Sequence, residues 1–321
     1  MTPTHYYDVF NGDADGICAL HQLRLVEPRP SVLVTGVKRD IRLLERLTPE
    51  PNSHVTVLDV SLESNRTGLL QVLERGCRVR YFDHHNPGEG LTHPGLEAHI
   101  DTSAQVCTSI LVNRHLGGQH LPWAVAAAFG DNLIEPALRL AEPLHLDSEA
   151  LEALRTLGEL LNYNAYGETV ADLHFHPAQL YRSLAPFADP LEWFRGAPEA
   201  DTLREGFAED LRQAQEIQPL LDEAAGQVIL LPEAPWARRV IGVFANRLAQ
   251  EHTGKATVLI VEKADGTLTV SVRAPVERPQ GADVLCGQFP TGGGRVGAAG
   301  INALPAGDLP RFLEAFRKQY F

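Results

Sequence analysis

Tyr6-Tyr7-Asp8-Val9-Phe10-Asn11-Gly12-Asp13-Ala14-Asp15-Gly16-Ile17-Cys18-Ala19 starts as a short apolar run and then turns abruptly polar. Tyr6–Phe10 has the length and composition of a strand bounded by a turn. From Gly16 to Val26, Ile17, Leu20, Leu23 and Leu25 recur at helical spacing. Between strand and helix, Asp13 and Asp15 flank Ala14. Alternate positions of an extended turn aim both carboxylates the same way, and the adjoining glycines let the backbone pass close to a ligand. An Asx-turn that merely caps the helix uses the same residues, so the turn alone does not define a site.

The strand–helix pattern repeats. Ser31–Thr35 precedes Ile41–Leu47, His54–Val60 precedes Leu69–Leu73, and Arg78–Phe82 reads as a fourth strand. β-branched runs alternating with amphipathic segments predict a mostly parallel sheet covered by helices. Ligands of such sheets bind outside the carboxyl ends of the strands. Asp13, Asp15, Asp59 and Asp83 all fall at or just past a predicted strand end. Asp59 closes an apolar run, where an unpartnered carboxylate is costly, and Ser61 is better placed to cap the next helix. Asp83-His84-His85 closes Arg78–Phe82, and Asn86-Pro87-Gly88 supplies the turn that both imidazoles need to serve one site. Carboxylates and imidazoles gathered at strand ends suit a hard divalent metal, which activates water against phosphate esters. One imidazole would ligate and the other would lie near the scissile phosphate, with Asp83 orienting a ring.

Residues 104–116 and 122–130 read as helices, the second ending at Gly130-Asp131. Asp131 is either a C-terminal cap or a further carboxylate of the site. A polar, proline-containing, helix-rich stretch follows from 140 to 200. Within it, His174-Phe175-His176 has the spacing of a zinc pair but lacks a third ligand, and Pro177 favours a loop with a non-metal role. Asn162-Tyr163-Asn164-Ala165-Tyr166 reads as packing rather than a stacking platform. Residues 201–225 look like one long charged helix. From Gln227 the strand–helix pattern restarts and finishes on Gly292-Gly293-Gly294-Arg295-Val296-Gly297-Ala298-Ala299-Gly300. Successive glycines expose N–H groups that cradle an anion, and the small residues after them let a helix start close by. Arg295 adds a fork-shaped donor suited to phosphate. Arg273 ends Thr269–Arg273, where a solvated arginine is equally usual.

At 321 residues the chain has room for two domains. No apolar run approaches a membrane span, and the opening MTPTHYYDVF lacks a signal layout. Four cysteines, far apart and without a CxxC pair, fit a reduced, cytoplasmic setting. Cys18 and Cys107 read as small buried residues. A net charge of -13 argues against a long polyanion groove and leaves small phosphate-bearing substrates compatible.

In chain order, Asp13-Ala14-Asp15-Gly16, the strand-end Asp59, Asp83-His84-His85 and the Asp131 region resemble the four motifs of the DHH phosphoesterase superfamily. That superfamily includes RecJ exonucleases, NrnA-type oligoribonucleases and cyclic-dinucleotide phosphodiesterases. The glycine-rich finish and the upstream Val270–Ala274 resemble its associated substrate-binding domain of the first type. The resemblance covers nearly all of the chain except 140–200. It implies an α/β fold with a mostly parallel-sheet catalytic domain over 1–200, in which 140–200 is a helical insert. A helical connector over 201–225 and a smaller mixed-sheet domain over 226–321 would follow.

The resemblance also implies two manganese ions, with magnesium or cobalt as substitutes, held by Asp13, Asp15, Asp59, His84 and Asp131, with Asp59 bridging. Asp59, His84 and His85 would be catalytic. Arg273, Gly292, Gly293, Gly294 and Arg295 would grip the substrate's terminal phosphate. Two positions depart from the pattern. Val9 stands where NrnA-like members carry a histidine, leaving one metal short of a ligand. Arg295 replaces the histidine of the usual GGGH, keeping phosphate attraction but losing a group that titrates near neutral pH.

The expected activity is manganese-dependent hydrolysis of a phosphoester in a short nucleotide: an oligo- or dinucleotide, a cyclic dinucleotide or a pAp-like compound. No membrane partner is expected, and a homodimer is compatible. A RecJ-like 5′–3′ single-strand exonuclease is disfavoured by the acidic balance and the absence of length for an added OB-fold domain. A non-catalytic scaffold would require eroded ligands, and a family II pyrophosphatase would lack the glycine-rich segment.

Overall fold

β1 (Tyr6–Phe10), β2 (Val32–Val34), β3 (His54–Leu58), β4 (Arg78–Asp83) and β5 (Leu96–Ile100) form a sheet in the order β2-β1-β3-β4-β5. Every neighbouring pair is parallel, so all carboxyl ends lie along one edge. The chain leaves β1 towards one side of the sheet and returns to β3 on the other. That reversal opens a crevice beyond β1 and β3, the usual ligand position in such sheets. The structure, a computed structural model, describes residues 5–321; Met1–Thr4, part of the opening read for a signal layout, lie outside them.

Alternation along the strands sorts the two faces. Val9, Val55, Val57, Val79 and Tyr81 pack with Leu69, Val72 and Leu73 of α2 (Arg66–Glu74). The other face carries a buried ion pair, Asp8 with Arg24 of α1 (Ala14–Val26), and Arg24 also donates to Thr56 Oγ1 at 3.0 Å. The helix expected near 41–47 is only a 3-10 turn, Leu43–Arg46.

Further helices complete this unit: α3 (Thr108–His115), α4 (Leu121–Gly130), α5 (Ile134–Ala141), α6 (Ser148–Ala165), α7 (Pro177–Leu184) and α8 (Pro190–Gly196). Where α1, α4 and α6 meet, there is no room for side chains. A Cβ on Gly158 would lie 2.0 Å from the Ala126 carbonyl oxygen, and one on Gly130 would lie 2.5 Å from Ala14 Cβ. These contacts bring the start of α1, the end of α4 and the end of α6 to the sheet's carboxyl edge.

The chain divides into two compact units, Met1–Arg204 and Glu205–Phe321. The helix expected over 201–225 is α9 (Pro198–Gln215), followed by the short strand β6 (Leu221–Asp222). Pro219 explains the early stop, because it lacks an N–H and pushes Gln218 out of helical geometry.

The second unit contains β7 (Gly226–Leu231), α10 (Pro235–Glu251), β8 (Ala256–Glu262), β9 (Thr267–Arg273), α11 (Ala282–Cys286), β10 (Gly292–Arg295), β11 (Ala298–Pro305) and α12 (Leu309–Tyr320). Its mixed sheet runs β10-β11-β9-β8-β7-β6 over a core of Val258, Ile260, Val270, Val272, Ile301, Phe312 and Phe316. The expected helix start at Ala298–Gly300 is instead strand. Gly292–Arg295 and Ala298–Ile301 form a hairpin closed by Val296-Gly297. Gly294, at φ 149, has no room for a side chain, since its Cβ would lie 2.4 Å from Ala299 Cα. The glycine there serves close strand approach. All four cysteines are free and buried, and no helix among the described residues is long and apolar enough to cross a membrane.

Candidate metal centre

Asp13 caps the first turn of α1, as an Asx-turn would, but with only one oxygen. Asp13 Oδ1 accepts the N–H groups of Asp15 at 3.0 Å and Gly16 at 3.1 Å. Its Oδ2 is held by the ammonium of Lys38. Asp15 is fully buried against the start of α3, accepting the Ser109 N–H on Oδ1 at 2.6 Å and the Thr108 N–H on Oδ2 at 2.7 Å. Free amides at a helix N-terminus favour a carboxylate in this way.

Asp59 leaves β3 in the left-handed region, at φ 57, which aspartate tolerates better than most residues. Its N–H donates to the Phe82 carbonyl at 3.0 Å, which ties the turn to β4. Asp131 caps α4 with its own N–H on the Ala127 carbonyl at 2.9 Å, while its carboxylate reaches the cluster.

His84 is the centre of this arrangement. Its Nδ1 lies 3.0 Å from the Val106 carbonyl oxygen, which can only accept, so Nδ1 carries the proton. In the neutral ring, the form that binds a metal, Nε2 presents its lone pair to the cluster. It lies 3.4 Å from Asp59 Oδ1, 3.7 Å from Asp131 Oδ2 and 4.0 Å from Asp15 Oδ2. Four acceptors from four elements thus face one another. Their donor set of hard oxygens with one imidazole fits a divalent cation such as manganese.

Asp83 spends its oxygens on positioning: Oδ1 accepts from His84 N at 2.9 Å, His85 N at 3.2 Å and His85 Nδ1 at 2.6 Å. Its Oδ2 accepts from Leu62 N at 3.3 Å. His85 is half-exposed, with Nδ1 4.0 Å from Asp59 Oδ1. Two triads emerge, Asp59–His84–His85 and Asp15–His84–Asp131, each with ligand atoms within 4.8 Å of one another. Among the described residues, Asp13 belongs to neither triad.

Accumulated negative charge perturbs the group. Burial, with the Asp131 and Asp13 carboxylates, pushes Asp15 up to about 6 against the pull of His84 and the Ser109 N–H. Burial, then Asp15, Asp13 and Asp131, hold Asp59 well above the usual carboxylate range. Burial pulls His85 down, but its hydrogen bond to Asp83 and the surrounding carboxylates leave it above its ordinary value. Lys38 also ends well above its ordinary value, because Asp13 and Asp131 outweigh its burial.

Asp15, Asp59, His84, His85 and Asp131 therefore come together, and Asp13 is linked to them through Lys38. Sequence reading missed Lys38, Thr108, Ser109 and Asn162, whose Oδ1 accepts from Lys38 Nζ at 2.9 Å. Lys38 follows β2, so the same rule about strand ends points to it. The His174–His176 pair has other partners: His174 Nε2 meets the Tyr163 hydroxyl at 2.7 Å, and His176 Nδ1 accepts the Ala178 N–H at 3.1 Å.

Arg273 and Gly292–Arg295 lie in the second unit. Arg273 pairs with Ala298, and Ala298 pairs with Arg295, placing the two arginines in one row with a small residue between them. Arg295 is exposed, whereas Arg273 is half-buried and donates to Asn246 Oδ1 at 2.5 Å.

No family model matches the sequence, and no curated protein matches it. Solved structures do match. The exonuclease RecJ bound to manganese aligns over 97% of this chain and 88% of its own, with a TM-score of 0.60 and 19% identity. The chain has the fold of RecJ. RecJ from Thermus thermophilus in complex with Mn2+ aligns over 98% of this chain at 17% identity and TM-score 0.59. This chain spans about half of that enzyme, 51% of its length. The pGpG-specific phosphodiesterase PggH from Vibrio cholerae aligns over 98% of both chains at 15% identity and TM-score 0.54. At these identities the likeness is one of fold.

Proposed function

We propose that this protein is a manganese-dependent phosphoesterase acting on short nucleotide substrates. The observation that carries the reading is the convergence of Asp15, Asp59 and Asp131 on the Nε2 lone pair of His84. Asp15, Asp59, His84 and Asp131 hold the cation, with Asp59 central to the group. Bound manganese supplies Lewis-acid polarisation of phosphate oxygens and of water. His85, oriented by Asp83, holds a proton beside the reacting phosphate and gives it to the leaving oxygen. Lys38 adds positive charge against the developing charge of the phosphoryl group.

In the second unit, Arg295 and the half-buried Arg273 form the row that reads a terminal phosphate. The strand Gly292–Arg295 lies at the edge of its sheet, where alternate N–H groups are not used by the ladder. Few cationic contacts within a chain of net charge -13 favour a dinucleotide, a short oligonucleotide, a cyclic dinucleotide or a pAp-like compound over a long strand.

The test is purified protein with manganese against cyclic dinucleotides, pAp, dinucleotides, a 5-mer and long single strands. Turnover should be fastest on the short compounds and fall to background in Asp59→Asn. Asparagine tolerates the left-handed backbone at this position, so the variant should fold. Full activity in folded Asp59→Asn would remove the mechanism, and a preference for long strands would favour an exonuclease instead.

A further inference from the structure

We propose that Lys38 is a built-in cation standing where a second divalent ion would bind, so that the centre takes one manganese per chain. The proposal rests on the reading of Asp15, Asp59, His84 and Asp131 as ligands. An ammonium has three N–H donors. Those of Lys38 meet three acceptors: Asp13 Oδ2, Asn162 Oδ1 at 2.9 Å and Asp131 Oδ1 at 3.4 Å. Every donor is used.

The position is fixed from both sides of the crevice. The Lys38 N–H donates to the Ala165 carbonyl at 2.9 Å, at the end of α6. Asn11 Nδ2 donates back to the Lys38 carbonyl at 3.3 Å, from the turn that carries Asp13. The Tyr166 ring lies 5.8 Å from the ammonium. Lys38 is therefore held by its backbone on two elements, with its charge directed at the carboxylates.

Both Asp13 oxygens already have partners: one caps α1 through two N–H groups, and the other faces the Lys38 ammonium rather than the other carboxylates. Asp131 is shared, with Oδ1 towards Lys38 and Oδ2 towards His84 Nε2. It thus bridges the fixed cation and the proposed metal position. A divalent ion beside Asp13 would also meet a fixed positive charge at short range. The two ions expected from the resemblance become one ion and one lysine.

The experiment counts metal and does not depend on turnover. Metal-stripped wild type, Lys38→Ala and Asp13→Asn would be titrated with manganese alone and read by calorimetry, by metal analysis after dialysis and by electron paramagnetic resonance. Wild type should bind one ion with the spectrum of isolated manganese. Lys38→Ala should admit a second, weaker ion and show a spin-coupled pair. Asp13→Asn keeps the capping oxygen and should still bind one ion within about threefold of wild-type affinity.

Two ions in wild type, a single ion in folded Lys38→Ala, or loss of the ion in Asp13→Asn would each overturn the proposal while leaving the centre a metal site. No ion in wild type would remove the metal reading itself. If Lys38→Ala does not fold, the wild-type count and Asp13→Asn decide.

Discussion

Asp83 shows how much one residue can fix without touching the reacting atoms. Its carboxylate gathers four N–H groups, two of them from the backbone of His84 and His85, and so sets the turn that directs both imidazoles into the crevice. Asp83→Asn replaces one acceptor oxygen with a donor and removes the charge that holds His85 above its ordinary value. We expect kcat to fall about 10–100-fold, the usual cost of losing such a supporting group. If protonated His85 is the acid, activity declines as pH rises through its pKa, and Asp83→Asn moves that decline to lower pH. A pH–rate profile checks this, and an unmoved alkaline limb would take the proton away from His85. Asp83-His84-His85 was legible in sequence because three site residues are adjacent after a strand. Lys38 was less so: its place after β2 was the one signal, and a lysine between Val37 and Arg39 reads as solvated until Asn162 and Ala165, more than 120 positions later, fold back on it.

Among the elements, the crossing of α1, α4 and α6 decides how far apart the ligands sit. Gly158→Ala places a methyl group against the Ala126 carbonyl, where the Cβ would lie 2.0 Å from the oxygen, and forces α4 and α6 apart. We expect a loss of about 1–3 kcal/mol in denaturant unfolding, as overpacking typically costs. Manganese affinity should weaken too, because Asp131 ends α4 and Asn162 lies on α6. Unchanged affinity in a destabilised Gly158→Ala protein would mean that the crossing does not set the site. His21 of α1 gives the same region an acid sensitivity. It is 1% exposed, its Nε2 lies 2.8 Å from the Phe187 carbonyl oxygen, and burial lowers it to about 4.

Above pH 6.5 His21 is neutral folded or unfolded and adds no pH dependence. Between 6.5 and about 4 only the unfolded chain takes up the proton, so stability falls with pH, by about 3 kcal/mol in total. His21→Gln keeps an N–H donor without the titration, and its stability should be flatter across that window. An equally steep decline would assign the acid sensitivity elsewhere. At this scale the strand–helix alternation was readable from periodicity. The early end of α9 turns on one proline, and the β10–β11 hairpin on glycines that suit a loop, a helix start or a close strand pair equally well.

For the molecule as a whole, a parallel sheet was legible because apolar runs alternate with helical spacing. The order β2-β1-β3-β4-β5 was not, since a connection's length does not say on which side of β1 the next strand lies. Net charge was legible from the start, and it makes the arginines at the β9–β11 row matter more. A chain of net charge -13 repels a polyanion everywhere except at local cationic positions, so recognition should involve one or two phosphates. The logarithm of kcat/KM should then fall with the logarithm of salt at a slope of about 1, since each neutralised phosphate of a single strand contributes ~0.7. Arg295→Ala should reduce kcat/KM for a 5′-phosphorylated dinucleotide by about 10–100-fold, corresponding to a lost charge-assisted hydrogen bond. The effect should fall mainly on KM, because a phosphate remote from the chemistry is bound equally in the ground and transition states. An unphosphorylated dinucleotide lacks the gripped group and should lose far less. The ratio of the two specificity constants, measured in wild type and Arg295→Ala, isolates that grip from any general loss of stability. An unchanged ratio would leave the glycine strand with only the packing role that Gly294 and Ala299 already show.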